Sequence, residues 1–534
     1  MNDVTGKNQT AGSRHPNTFR GSFEQIIEWM RHQLITETKV NHLLAIAQFY
    51  GIFRMLNFDG VYQDNEIEEI VELRVSQSDQ LTLPDMSKTN GGTILIVSHL
   101  LDFGGHSRVV LNWLAALREE SSHRLLITQM VSDNSRSRLE SQEINFHLCV
   151  NQGVQLVNEI TAYCANAERV VLHIDPTDIA ATTAVRILAK ASKRIIFYNH
   201  ADHRFSFGIS SAHLVCEVSN YGIQLNRRAR RIQDSCYLGI PIVFRAQRTG
   251  EEMAVANKAE KTVLSAGDSY KYAPGAAFFG TFIDDLLQQR DDVTFLLVGP
   301  TGKEPWWIKA KERWCNRIHF LGQLSHSKYL DVMQNADVYV DSFPITGGTA
   351  FPEALLNGKR VAGLHSPLEG YSPVDELRAR DVPSLTQQVI NLLNGDPASI
   401  RTIEEIREKA AAIHSIAEFR ERVRNVYSGC YTRNSETKVD VDTYWLERRW
   451  AHNAELYLPG RIMPATVPLK FCMSFKSQAN RLLGPFVSKY RGYILLGIIF
   501  RLLPPAAREW AQVMRNRFSP LLSKVRSNEA LPTG

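Results

Sequence analysis

The stretch from Asp341 to Val361, DSFPITGGTAFPEALLNGKRV, decides the fold. It reads as a strand end, a glycine turn, a helix, another glycine and a new strand, which is the crossover unit of a parallel α/β sheet. Gly347 and Gly348 let the backbone approach a ligand closely. The amides of Gly348 and Thr349, with the Thr349 hydroxyl, fall at a helix start, where a phosphate is favoured. Glu353 follows one turn later, where a carboxylate can accept two hydrogen bonds from a vicinal diol such as a ribose. A Gly–Gly pair also makes an ordinary tight turn, with Glu353 then a solvated helix residue, and the spacing alone leaves both readings open.

The same alternation extends in both directions. Before it lie KTVLSAG, VTFLLVG, RIHFLG and DVYVDS as strands with helices between them. After it come helices at about 385–394 and 402–426. A first run of the same kind starts with TILIVS (93–98), a glycine turn and the helix VVLNWLAAL (109–117), and continues through RLLITQM, RVVLHI, RIIFYN and HLVCEV. Two tandem Rossmann-like α/β domains are expected, over 91–243 and 262–430, with a polar linker over 244–261. Such an arrangement places a ligand in the cleft at the carboxyl ends of the strands. Residues 1–20 are expected to be disordered. Residues 21–90 are expected to form a helical N-terminal segment with Phe23, Ile26, Ile27, Met30 and Leu34 on one face.

Three further turns carry candidate chemistry. In SAGDSYKYAPG (265–275), Lys271 can neutralise a diphosphate at the cleft edge, or simply be solvated. In SHLLDFGGHSRVV (98–110), Gly104 and Gly105 make the turn, and His106 opens a helix facing the cleft. It is a candidate general base, or a capping residue. In YNHADHRFSFG (198–208), His200, Asp202 and His203 cluster at a strand end, as a polar lining for a sugar or its acceptor. The H-A-D-H spacing is an incomplete ligand set, with no H-E-x-x-H or second cluster in the sequence to complete it, so no metal site is expected. His173 and Asp175, at another strand end, read as a structural loop.

Composition narrows the class. The chain has 534 residues, 44% hydrophobic and 22% charged, as in ordinary globular proteins. Its seven cysteines are scattered and never spaced C-x-x-C, which argues against a disulfide framework and for a reducing compartment. The polar N-terminus has no apolar core of a secretory signal. The apolar run Gly492–Phe500, closed by Arg491 and Arg501, is about half of the ~20 residues a spanning helix needs. Residues 441–534 hold 14 Lys and Arg against 5 Asp and Glu, whereas the first 440 hold 47 against 51. The basic character therefore belongs to the tail, which argues against a nucleic-acid partner. With its Trp, Tyr and Phe residues, the segment 436–534 reads as a basic amphipathic tail for an anionic membrane surface, or as an appendage packed on the body.

Together these residues resemble nucleotide-sugar glycosyltransferases of the GT-B fold, over roughly residues 92–430. Asp102-Phe103-Gly104-Gly105-His106, Tyr270-Lys271-Tyr272-Ala273-Pro274, and Gly347, Thr349 and Glu353 are similar to segments of the inverting O-GlcNAc transferase family and its bacterial relatives. That resemblance implies a diphosphate-binding role for Lys271, phosphate binding at the Gly347–Thr349 turn, a ribose contact for Glu353 and a base or acceptor-side role for His106. There is no tetratricopeptide array. A second branch, the retaining family marked by E-x7-E, is similar at Gly104, Gly105, Arg108, Val109 and Val110, but Ile345 stands where its first glutamate would fall.

The expected activity is hexosyl transfer from a nucleotide-sugar, UDP-linked, to a glycan or lipid-linked glycan acceptor. It needs no cofactor and no metal, and it sits in polysaccharide assembly, with a cytoplasmic location, peripheral at the inner face of the membrane. His106, His200 and Asp202 are the catalytic candidates, Lys271, Gly347, Gly348, Thr349 and Glu353 the donor-binding ones, and Gly104, Gly105 and His203 the acceptor-side ones. The rival readings are a sugar-nucleotide epimerase or hydrolase of the same architecture and a non-catalytic carbohydrate- or partner-binding protein.

Overall fold

The computed structural model describes residues 19–57, 59–89, 91–102, 104–118, 123–244, 260–273, 278–366, 368–433 and 466–483. Of the start expected to be disordered, residues 1–18 lie outside these, as do most of the expected linker and the tail apart from residues 466–483, whereas residues 19 and 20 open a helix. The chain divides into two units, residues 1–57 with 454–534, and residues 58–453.

In the first unit, the helical period over 22–56 resolves into two helices, α1 (Phe19–Thr36) and α2 (Val40–Leu56). The break comes at Glu37, whose Oε1 accepts from the amides of Thr38 and Lys39 (3.0 and 2.9 Å) and so takes over backbone donors that a continuous helix would use. Phe23, Ile26, Ile27, Met30 and Leu34 are all buried, as the spacing predicts. The described piece of the tail is one helix, Leu469–Leu483. Its Phe471 lies 5.2 Å from Trp29, and its Phe475 meets Phe49 edge-on at 5.0 Å. The aromatic face of this piece is therefore spent on α1 and α2 rather than presented outward. No described helix is long and apolar enough to cross a membrane.

The larger unit opens with α3 (Asn65–Ser76), so the helical segment expected over 21–90 is shared between the two units. This helix packs on α7 (Ile179–Lys190). Its buried Glu68 accepts from the Gly208 amide (3.0 Å) and Ser210 (2.6 Å).

Seven parallel strands follow: β1 (Thr93–Leu100), β2 (His123–Val131), β3 (Phe146–Leu148), β4 (Arg169–His173), β5 (Arg194–Asn199), β6 (Leu214–Glu217) and β7 (Ser235–Tyr237). Their order in the sheet is β3-β2-β1-β4-β5-β6-β7. β1 is buried along nearly its whole length, which is why TILIVS reads as an uninterrupted apolar run rather than an alternating one. The connecting helices are α4 (Gly105–Ala116), α5 (Asp133–Ser141), α6 (Gly153–Cys164), α7 and α8 (Asn220–Leu225).

A second parallel sheet is built from β8 (Lys261–Ala266), β9 (Val293–Val298), β10 (Ile318–Gly322), β11 (Val338–Val340), β12 (Arg360–Leu364) and β13 (Arg378–Ala379), ordered β10-β9-β8-β11-β12-β13. Its helices are α9 (Phe279–Gln289), α10 (Ile308–Arg313), α11 (His326–Asn335), α12 (Ala350–Leu356) and α13 (Val382–Asn394). The single helix expected over 402–426 is two, α14 (Pro397–His414) and α15 (Ile416–Ser428). Ser415 stops the first and caps the second by accepting from the Glu418 amide, in a Ser-x-x-Glu capping sequence. α15 returns to the first sheet's layer, where Phe419 meets Trp113 of α4 edge-on at 5.2 Å and Arg420 donates to the Ala116 carbonyl (2.6 Å).

In each sheet the chain starts at a central strand, winds outward to one side, then returns to the other side of that strand. The switch points lie between β1 and β4, and between β8 and β11. A crevice opens at such a point because the two flanking turns leave in opposite directions.

Candidate functional site

The turns after β1 and β5 of the first sheet and after β8 and β11 of the second line one cleft of about 390 Å³. From the first half come Gly104, Gly105, His106, Arg108, His200 and His203. Facing them are Lys271, His326, Tyr371 and the Gly347–Thr349 turn. Of the eleven candidates read from the sequence, all but Asp202 and Glu353 reach the cleft surface, and those two stand directly behind it.

The glycine turns are where the halves touch. A side chain at Gly105 would start 3.0 Å from the Thr349 hydroxyl, and one at Gly348 would start 2.9 Å from the Tyr371 ring. A larger residue at Gly105 would force the walls apart, and one at Gly348 would displace the Tyr371 ring of its own half. The Gly347 amide is already engaged, donating to both oxygens of Asp341 (3.0 and 3.1 Å), which Arg378 holds in turn (2.8 Å). Among the described residues the Gly348 and Thr349 amides donate to no protein group. They stay available to an anion. The helix behind them, α12, is only two turns long, so these amides carry the attraction more than a helix dipole does.

Lys271 lies in a 3-10 turn after β8, and its Nζ donates to the Thr346 carbonyl at 2.9 Å. The ammonium is thus set beside the glycine turn. Through Thr346, 75 residues on in sequence and next to Gly347, the two donor-side candidates meet at one point.

Of the two readings left open for Glu353, a diol-binding carboxylate and a solvated helix residue, burial excludes the second. Glu353 is 5% exposed. Oε2 accepts from Arg108 of the first half, and Oε1 from His326 Nε2 at 2.9 Å. Burial opposes its charge, but Arg108 and His326 outweigh burial and hold its carboxyl below the ordinary value. Arg108 and His326 are the groups that reach the cleft, and sequence reading gave neither of them this position. Their signal lies only in the tertiary pairing. Ile345, where a retaining motif would place a carboxylate, is packed against Tyr62, Tyr221, Leu225 and Leu368.

On the opposite wall Asp202 is fully buried. Oδ1 accepts from His203 Nδ1 (3.1 Å) and from the Tyr371 hydroxyl (3.0 Å), and Oδ2 accepts from Ser219. Burial works against ionisation here too, but these hydrogen bonds prevail and keep the carboxyl below its usual range. Burial lowers the His203 imidazole, with Asp202 opposing. Its Nε2 is buried and has no hydrogen-bond partner among the described residues, on a side chain that lines the cleft. A carboxylate on Nδ1 with Nε2 free is the arrangement of an oriented proton acceptor.

His106 is placed differently. Its ring centre lies 4.8 Å from His99, 4.4 Å from His173 and 4.5 Å from His200. Burial, with His200 and His99 alongside, holds it well below the usual imidazole range, and His200 is lowered to about 4, chiefly by burial. The expectation of no completing cluster does not hold. His200 is joined by His106 and His173, while Asp202 and His203 are engaged with each other. The set escapes a spacing rule because its members follow three different strands.

No protein-family model matches the sequence, and no curated protein matches it either. Solved structures do. A glycosyltransferase from Rickettsia africae superposes with a TM-score of 0.50 at 16% identity, covering 64% of this chain and 99% of that one. Anabaena HepE in complex with UDP and glucose gives 0.49 at 16% identity, over 63% of this chain and 99% of its own. An O-GlcNAc transferase from Thermobaculum terrenum gives 0.47 at 13%, over 77% and 81%. At these identities the likeness is one of fold, and the fold is the two-sheet GT-B architecture.

Behind the Asp202 wall, Glu217 is buried between Asn199 (2.9 Å) and Asn226 (2.7 Å), and burial raises its carboxyl to about 7. A carboxyl raised in the folded state stabilises it below the unfolded value of about 4.5 and loses that contribution as pH climbs through about 7. Glu217→Gln should therefore flatten the fall in melting temperature between pH 5 and pH 8. An unchanged slope contradicts the assignment.

Proposed function

We propose that this protein is a glycosyltransferase that moves a hexosyl group from a nucleotide-sugar to a hydroxyl acceptor. The observation that carries the reading is the convergence, in one cleft, of a cation, two unengaged amides and a carboxylate-oriented imidazole. The GT-B fold supports it.

Lys271 Nζ and the Gly348 and Thr349 amides would hold the donor diphosphate. As the bond between the anomeric carbon and the phosphate oxygen breaks, charge grows on the diphosphate, and these fixed donors stabilise it without a divalent ion at that point. Glu353 would contact the ribose only by sharing its oxygens with Arg108 and His326. Each carboxylate oxygen has a second lone pair for that purpose. Opposite, His203 Nε2 would take the acceptor hydroxyl's proton, and Asp202 would stabilise the imidazolium. Direct attack of that hydroxyl on the anomeric carbon fits inversion, and the apolar packing of Ile345 favours the same branch. His203 is preferred to His106 as base because only His203 has a carboxylate to fix its tautomer. His106 and His200 line the acceptor side.

The finer reading is a UDP-linked donor and a glycan or lipid-linked glycan acceptor, in bacterial-type surface polysaccharide assembly, with the protein cytoplasmic and peripheral at the membrane's inner face. Its support is the positive charge of residues 441–534, most of which lie outside the described residues.

Thermal-shift screening of nucleotide-sugars, followed by released-nucleotide assays with and without acceptor, tests the class. A transferase needs acceptor, an epimerase or hydrolase turns donor over alone, and a binding protein gives a shift without turnover. Lys271→Ala should weaken donor binding by about tenfold or more, and an unaltered affinity removes Lys271 from the diphosphate site. His203→Ala should lower turnover by about 100-fold or more while donor affinity changes far less. Normal turnover by the folded variant would exclude His203 as base.

A further inference from the structure

We propose that His106, His173 and His200 form a three-imidazole site for a divalent transition-metal ion of the zinc class, with its open position towards the cleft. The argument for the site does not use the transferase reading, although two of its ligands, His106 and His200, are the imidazoles placed on the acceptor side. Its ligands come from the ends of three adjacent strands: His106 from the turn after β1, His173 from the last position of β4, and His200 from the residue after β5.

The geometry is close to that of a bound ion. Each histidine offers a ring nitrogen, and the three lie within 4.8 Å of one another. Ring centres are 4.4 Å apart for His106–His173, 4.5 Å for His106–His200 and 4.8 Å for His173–His200. A triangle with 4.8 Å sides has its centre about 2.8 Å from each corner, so a shift of about 0.7 Å per ring reaches the roughly 2.0–2.1 Å of a metal–imidazole bond. His99 lies against His106 outside the ligand set, its ring tilted 35° at 4.8 Å.

The second observation is a deficit of hydrogen bonds. His173 is fully buried, and neither of its ring nitrogens has a hydrogen-bond partner among the described residues. Both nitrogens of His106 are likewise buried and without a partner of normal geometry. The two orphaned nitrogens of His173, beside a His106 ring whose one polar contact is a poorly aligned one to the His99 backbone, run against the rule that buried polar groups are satisfied. A cation held by imidazole lone pairs resolves this. Three neutral nitrogen ligands with no thiolate suit zinc, and also copper, nickel or cobalt, better than calcium or magnesium. The Asp175 carboxylate, close enough to act electrostatically on His200, supplies negative charge nearby. His106 and His200 line the cleft, so a water or acceptor hydroxyl can reach the fourth position.

His147, Cys149 and Glu159 form the other described cluster with such spacing. There Glu159 is engaged by His147 (2.7 Å) and Asn151 (2.9 Å), so no unmet demand points to a metal.

The test uses the full-length protein without a histidine tag, stripped with a chelator. Metal content is measured after Zn2+ loading and desalting, and the visible spectrum during Co2+ titration. The expected result is about one equivalent of zinc per chain and the intense ligand-field bands of low-symmetry Co2+. His173→Asn and His200→Ala should each weaken binding by about tenfold or more, and His147→Ala should leave it unchanged. Either variant with wild-type circular dichroism suffices, and His200 is the partly exposed position if His173→Asn fails to fold. Retention below about a tenth of an equivalent overturns the site, as does binding that survives in the folded variants or is lost in His147→Ala.

Discussion

Arg108 reaches from the first α/β half to a buried carboxylate of the second, and the cleft takes its form from that contact. Glu353 has almost no access to water, so its charge depends on Arg108 and His326. Removing one partner of such a buried pair leaves an uncompensated charge, at a cost of about 3–5 kcal/mol. The gain lies in alignment more than in stability. With Arg108 fixed on α12, the turn that opens α4 can lie only where Gly105 meets Thr349. The anion-facing amides, Lys271 and the histidine wall are thereby held at fixed separations. Tyr371 adds a second tie across the cleft through Asp202.

Much of this was legible from sequence because the relevant signals are local. Uninterrupted apolar strands, glycine turns and helical periods are properties of short windows, and parallel sheets follow from their alternation. The meeting of Lys271 with the Gly347–Thr349 turn was also within reach, since each lies just beyond the carboxyl end of a strand flanking the same switch point. Small breaks were missed where a single side chain captured backbone amides, at Glu37 and Ser415. The Ser415-x-x-Glu418 sequence was a readable signal for the second of these.

What sequence spacing could not give is partnership across long separations. Spacing left Glu353 open between a ligand carboxylate and a solvated helix residue because nothing near it in sequence shows that Arg108, 245 residues earlier, will cover it. The histidines behave in the same way. H-A-D-H looks like one incomplete group, but the fold splits it. Asp202 and His203 become an oriented dyad, while His200 joins His106 and His173. One short motif thus feeds two neighbouring arrangements on one wall, a hydrogen-bonded Asp–His pair and a cluster of three imidazoles. The basic tail shows a comparable limit. Its charge is plain in the composition, but the described helix within it uses its aromatic residues against α1 and α2.

The proposal that a donor diphosphate is bound between the halves meets its most direct test in a crystal structure of the protein soaked with a nucleotide-sugar that stabilises it. Diphosphate density within hydrogen-bonding distance of Lys271 Nζ and of the Gly348 and Thr349 amides is the result predicted. Density for the nucleotide-sugar elsewhere on the molecule, with that turn unoccupied at saturating ligand, would contradict it.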